Sequence, residues 1–179
     1  ERQFLPDFSQ VPTEVRQHAG LLMLNYPHNP TGAIATEQLF DEALDFVRQQ
    51  NIPLLHDFAY ASVGSQPHPA PLSLMSRPEG AEWGVEIYTM SKTFLMAGWR
   101  LGFAVGNASV ISAFKKLHTQ SYSTVFGAIQ DAAVTALSLP PETVSQFAET
   151  YHRRRELVIR RLDAMHWPVA PDQGTFFLW

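Results

Sequence analysis

The chain has 179 residues, 45% of them hydrophobic and 17% charged, a composition that suits a folded core and excludes a disordered chain. A formal charge of −4 offers no basic field for nucleic acid, and no apolar run reaches the roughly 18 residues that span a bilayer. Cysteine is absent, which excludes a disulfide frame, thiolate catalysis and a cysteine-ligated zinc site, and fits a reducing, cytoplasmic setting.

Leu21 to Asn25 is a short apolar run expected to form a strand, and Pro27, Pro30 and Gly32 punctuate the loop that follows. Thr36 is placed to cap a helix whose Leu39, Phe40, Ala43, Leu44 and Val47 share one face. Ile52 to His56 reads as a second strand, with Asp57 just past its end. The proline-rich stretch from Pro67 to Gly80 is expected to be a surface connection. Val85 to Thr89 and Leu101 to Val105 are the third and fourth strands. Because these runs are continuous rather than alternating, the strands are expected to be buried on both faces.

Helices are expected at 108–120, 125–139 and 141–166, the last with Pro141 in its first turn, where a missing N–H is no loss. Arg153, Arg154, Arg155, Arg160 and Arg161 read as the solvated face of that long helix. Thr175 to Trp179 reads as a strand of a second, smaller layer, stopped part-way; with Glu1 in place of an initiator Met, both ends are expected to be internal to a longer protein. Strands alternating with helices give an α/β fold class with parallel pairs, whose ligands sit at the carboxyl ends of the strands. Asn29, Asp57, Tyr60 and Lys92 all fall just after expected strand ends.

Lys92 is the only lysine before position 115, and its immediate neighbours carry no charge. A lysine poor in water and near another cation loses proton affinity, and a neutral amine attacks aldehydes. Arg100, eight positions on, offers a planar fork suited to phosphate. Aldehyde and phosphate are together the handles of pyridoxal 5′-phosphate (PLP), although a Lys and an Arg bracketing a turn are also ordinary surface charges. Asp57 ends a buried run, where a carboxylate needs a partner, and a protonated pyridine nitrogen would be one. Asn29 before Pro30 is by itself turn chemistry. His56, with no clustered ligands, reads as packing or as a supporting residue rather than a metal ligand, and no metal site is expected. Tyr60 is either a core aromatic or a phenol reaching into a site.

Four short motifs stand in order: Asn-Pro-Thr-Gly at 29–32, Asp-x-x-Tyr at 57–60, Ser-Lys-Thr-Phe at 91–94 and Gly-Trp-Arg-Leu-Gly-Phe at 98–103. With this order and spacing the chain resembles the class I/II aminotransferases of PLP fold type I over nearly its whole length. The wording around Asn25 to Pro30 and Met96 to Arg100 is similar to the branch with diaminopimelate-, aspartate- and methionine-type enzymes. The resemblance implies the fold type I large domain, a mostly parallel sheet with helices on both faces. Residues 1–139 would be a partial PLP-binding large domain, and 140–179 the linker helix and start of the small carboxyl-terminal domain.

It further implies that Lys92 holds PLP as an internal aldimine and then serves as general base, while Asp57 pairs with the pyridinium nitrogen. Asn29 and Tyr60 would bond the ring oxygen, and Arg100 with the Thr89 and Ser91 hydroxyls would hold the phosphate. The implied reaction moves an amino group from an L-amino acid to a 2-oxo acid, in a homodimer, with no nucleic-acid or membrane partner. A PLP-dependent β-lyase acting on carbon–sulfur bonds, and a non-catalytic regulatory module of the same fold, are the alternatives. In the family, a phosphate loop, a ring-stacking aromatic and the arginine that grips the substrate carboxylate lie outside the matching stretch. The 179-residue chain alone is therefore expected to bind PLP weakly and turn over little. Gln120 to Thr124, between two helices, is either a plain connector or the loop lent to a partner's site.

Overall fold

The computed structural model describes residues 4–63, 70–122, 124–167, 169 and 174–179. Among them β1 (Leu22–Asn25), β2 (Leu54–Asp57), β3 (Gly84–Thr89) and β4 (Gly102–Gly106) form one sheet in chain order. β1, β2 and β3 are parallel, with Asn25 opposite Asp57 and Asp57 opposite Ile87. β4 runs antiparallel to β3, with Thr89 opposite Gly102. The start of β4 therefore lies at the edge where the three parallel strands end. Residues that leave β1, β2 and β3, and those that enter β4, are gathered on that one edge.

A short α1 (Thr13–His18) precedes β1, and α2 (Glu37–Gln50) makes the crossover to β2. Thr36 Oγ1 accepts from the Leu39 N–H at 3.1 Å and satisfies one of the unpaired donors of the first turn of α2. Asn51 closes the helix in the left-handed region at φ 53°. Between these caps Leu39, Phe40, Ala43, Leu44, Phe46 and Val47 are buried in one cluster with Leu24, Leu54 and Leu74. Each large side chain so buried contributes on the order of 1.5–3 kcal/mol. Two short helices follow, α3 (Gly80–Trp83) before β3 and α4 (Met90–Thr93) after it. The chain then continues through α5 (Ala108–Ser121), α6 (Gly127–Leu137) and α7 (Pro141–Ala164). Gly106 ends β4 at φ 135°, with the Gly84 carbonyl oxygen 2.2 Å from where a Cβ would stand, so only glycine fits there. No helix of the described residues is long and apolar enough to cross a membrane.

The structure corrects three expectations. Burial on both faces fails for β1 and β4: Met23 is 61% exposed, and Phe103 and Val105 are each 37% exposed. A continuous apolar run records a preference for burial, but burial also needs a covering layer, and the described residues supply none over Met23. Thr175 to Trp179 forms no strand. The Phe177 N–H donates to Thr175 Oγ1 at 3.1 Å, a local bond that takes a donor a ladder would need, and just before the segment the Gly174 N–H donates to the Gly32 carbonyl at 3.0 Å. Arg155 is buried, not solvated, because it shares a face of α7 with buried Ala148, whereas Arg153, Arg154, Arg160 and Arg161 are exposed. The expected helix ends shift by a few residues, as fraying ends do. Of the proline-rich connection, 67–69 lies outside the described residues, and the remainder includes a 3-10 turn, Leu74–Ser76.

Candidate active site

The first wall is the turn after β1. Asn25, the last residue of β1, donates from Nδ2 to the Asp57 carbonyl at 3.0 Å and accepts the Asn29 N–H on Oδ1 at 2.9 Å. One amide thus ties the Asn29 turn to the end of β2. The turn closes on itself: the Gly32 N–H donates to the His28 carbonyl and the His28 N–H to the Ala33 carbonyl, both at 2.8 Å. Gly32 has φ 72°, and the Tyr26–Pro27 and Asn29–Pro30 bonds are cis. The Asn29 side chain stays exposed and has no hydrogen-bond partner among the described residues.

Asp57 ends β2. Its Oδ1 accepts the Ala59 N–H at 3.1 Å, which turns the chain towards Tyr60. Oδ2 has no partner among the described residues. The Tyr60 ring is buried and meets Phe176 and Phe177 edge-on, at centroid separations of 5.6 and 5.5 Å. Burial raises the Tyr60 pKa above its ordinary value, and the negative charge of Asp57 adds to the rise. The phenol is therefore a proton-bearing donor at neutral pH.

Lys92 stands on α4, where β3 ends. Thr89 Oγ1 accepts the Ser91 N–H at 3.1 Å and donates to the Leu101 carbonyl at 3.4 Å; the Met90 N–H donates to the same carbonyl at 3.1 Å. Met90 is fully buried and roots the turn. The Thr89 hydroxyl is thus turned inward, while the Ser91 hydroxyl has no hydrogen bond among the described residues. Lys92 is half-buried with Nζ 5.9 Å from the Phe176 ring centroid, within cation–π range, and has no hydrogen bond or ion pair among the described residues. Phe176 in turn stacks on Tyr151 of α7 at 5.0 Å.

Arg100 sits in the left-handed region at φ 54°, exposed, with Nη1 donating to the Ala97 carbonyl at 2.9 Å. Its remaining N–H groups have no partner among the described residues. Contacts thus join Asn29 to Asp57 through Asn25, and Tyr60 to Lys92 through Phe176, whereas Arg100 and Ser91 share only the sheet edge with them. His56 lies wholly buried between the Phe40 and Phe58 rings, at centroid separations of 5.0 Å.

Three residues of this neighbourhood escaped sequence reasoning. Glu86 is fully buried inside β3, and the argument applied to Asp57, that a buried carboxylate demands a partner, would have found it. Asn25 carries the weaker signal of a polar residue closing an apolar strand. Phe176 carries none, because only the fold brings it to Lys92.

Residues 1–179 match the family described as aminotransferase class I and II. The chain is 42% identical over all 179 residues to the L-glutamine–4-(methylsulfanyl)-2-oxobutanoate aminotransferase of Bacillus subtilis strain 168, covering 45% of it. It is 37% identical to LL-diaminopimelate aminotransferase 2 of Trichormus variabilis, covering 46% of that protein. Among solved structures it is similar to substrate-bound BacF from Bacillus subtilis, with a TM-score of 0.94 and 36% identity over 99% of this chain and 45% of that one. The chain spans about half the length of the curated relatives it matches. With the fold, the edge-gathered residues and these matches in agreement, the chain belongs to the class I and II aminotransferases, whose members use pyridoxal 5′-phosphate.

Proposed function

We propose that the whole protein is a PLP-dependent aminotransferase that passes an amino group from an L-amino acid to a 2-oxo acid. Lys92, Asp57 and Tyr60 are its catalytic residues, and Asn29, Thr89, Ser91 and Arg100 complete the cofactor set. One observation carries this reading. At a single sheet edge, Asp57 Oδ2, the Tyr60 hydroxyl, the Lys92 amine and most of the Arg100 fork all lack hydrogen-bond and ion-pair partners among the described residues. These unengaged groups complement, in kind, the ring nitrogen, ring oxygen, aldehyde and phosphate of PLP.

When bound, the cofactor supplies an electron sink for negative charge at the amino-acid Cα. The chain supplies the rest. The Asp57 carboxylate accepts the ring N–H and keeps that proton in place. The Tyr60 phenol, protonated at neutral pH, donates to the ring oxygen, helped by the Asn29 amide. Arg100 and the Ser91 hydroxyl take the phosphate with charge-assisted bonds, and Thr89 holds the backbone turn on which Ser91 and Lys92 stand. Phe176 lies against the Lys92 amine, with Nζ 5.9 Å from its ring centroid. The four-carbon stem would let that amine reach and hold a proton taken from the amino-acid Cα, a range of movement that a short carboxylate would lack.

The same reading divides the chain into a large-domain part at 1–139 and a linker with the start of the small domain at 140–179. It makes the whole protein a cytoplasmic homodimer, for which exposed Phe114, Leu117, Tyr122 and Phe126 are the supporting surface. The test is to supply the full-length protein with PLP and scan L-amino donors against 2-oxo acids. Paired formation of a new amino acid and a new 2-oxo acid is expected, abolished in Lys92→Ala. Release of ammonia and pyruvate from a cysteine conjugate, with no amino acid formed, would contradict transfer.

A further inference from the structure

His56 and Asp57 are neighbours in β2, so their side chains leave opposite faces of the sheet. Asp57 faces the site region, and His56 is sealed beneath it. Both side chains of the His56–Glu86 pair are 0% exposed. His56 Nε2 lies 2.8 Å from the Tyr26 carbonyl, which can only accept, so Nε2 carries a proton. His56 Nδ1 lies 2.8 Å from Glu86 Oε2. That oxygen also accepts the Leu74 N–H at 2.6 Å, and Oε1 accepts the Ser73 hydroxyl at 2.7 Å together with the Tyr88 hydroxyl. Three donors other than the histidine already point at Glu86, which is the environment of a carboxylate and not of a carboxylic acid. A carboxylate facing Nδ1 requires a second proton on the ring. Among the described residues, the aromatic rings that meet His56 are Phe40 of α2 and Phe58 after β2, both uncharged, and the one charged group bonded to it is Glu86 of β3.

We propose that His56 and Glu86 are a buried imidazolium–carboxylate pair acting as positioning residues for the Asn29 turn. Glu86 keeps the ring doubly protonated, and the charged ring clamps the Tyr26 carbonyl from below. Asn25, one residue earlier, ties the same turn to Asp57 from the other face. The turn is held on both sides, and its register against Asp57 follows from a charge-assisted bond rather than a neutral one. Glu86 accords with this: burial works to raise its pKa, but hydrogen bonds from His56, Tyr88 and Ser73 hold it below the ordinary glutamate value. The proposal rests on the aminotransferase reading only for its consequence at the cofactor.

The test uses the full-length protein. In protein labelled with 15N-histidine, proton–nitrogen correlation spectra read each ring nitrogen directly, and the His56 ring is assigned by its displacement in Tyr88→Phe. Both His56 ring nitrogens are expected to carry protons in the wild-type spectrum, as their two acceptors require. In Glu86→Gln, which removes the charge facing Nδ1, one ring nitrogen is expected to be bare. PLP affinity, followed by absorbance titration, is then expected to fall about tenfold to a hundredfold, as when outer partners of a bound group's ligands are removed. A wild-type His56 ring with one bare nitrogen at neutral pH overturns the ion pair, and needs no variant to fold. A folded Glu86→Gln protein with a neutral ring and unchanged PLP affinity overturns the positioning role. Wild-type protein that binds no PLP sinks the aminotransferase reading instead, and leaves the ring spectrum to decide the pair.

Discussion

α2 and α5 have the same length, 14 residues each, yet they sit in the molecule very differently. Both are capped by a side chain on the first turn, Thr36 to the Leu39 N–H and Asn107 to the Val110 N–H. α2 buries six residues in the core it shares with β1 and β2, whereas α5 buries none and shows Phe114 at 55% and Leu117 at 62% exposed. Capping and periodicity are local and make a helix wherever they occur. Burial depends on what the fold places opposite. The Asn29 turn and Asp57 leave β1 and β2, the strands that share their core with α2, whereas Arg100, just before β4, is exposed.

The sharpest way to break this comparison is a matched pair of truncations. Phe40→Ala is expected to lower the unfolding free energy of this chain by about 3–5 kcal/mol in denaturant titrations. Leu117→Ala is expected to change it by no more than about 0.5 kcal/mol. Equal losses would show that α5 is packed after all. Glu86→Ala, which strips His56 of its buried partner, is expected to cost about 3 kcal/mol by the same measurement. Thr36→Ala, which removes only a cap, should cost about 1 kcal/mol.

Titration sharpens the comparison further, because the groups with shifted pKa values lie on the α2 side of the sheet or beside it. Tyr88, through burial first and its bond to Glu86 second, is pushed up to about 12, and burial raises Tyr26 and Tyr60 as well. A raised folded pKa means that the stabilisation is complete below the ordinary tyrosine value of 10.0 and is lost as pH climbs through the folded value. Glu86 has the opposite sign: its contribution is present above the ordinary 4.5 and disappears as pH falls through its lowered pKa. Unfolding midpoints measured against pH should therefore fall at both extremes. Tyr88→Phe should flatten the alkaline limb, and an unchanged limb would assign it to other groups.

The gathering of the site residues at one sheet edge was readable in advance for a topological reason. Parallel strands end on the same edge, so polar residues that follow apolar runs converge without any knowledge of the contacts between them. That logic placed Asn29, Asp57, Tyr60 and Lys92 together. It could not place Phe176 beside Lys92 and Tyr60, since the aromatic run at 176–177 has the look of a strand, whereas the Gly174–Gly32 bond and the ring contacts with Tyr60 and Tyr151 seat it there. Arg155 was misread for a related reason. An arginine among arginines looks solvated until the helix face it shares with Ala148 is known. Glu86 was a missed inference of a different kind, since its sequence signal was as strong as that of Asp57.

The most direct measurement is borohydride reduction of the full-length protein after loading with PLP, followed by peptide mapping. The account predicts that the cofactor becomes fixed to the Lys92 side chain, and that Lys92→Ala yields no labelled peptide. Label on Lys115 or Lys116, or none on protein that has demonstrably bound PLP, would contradict it.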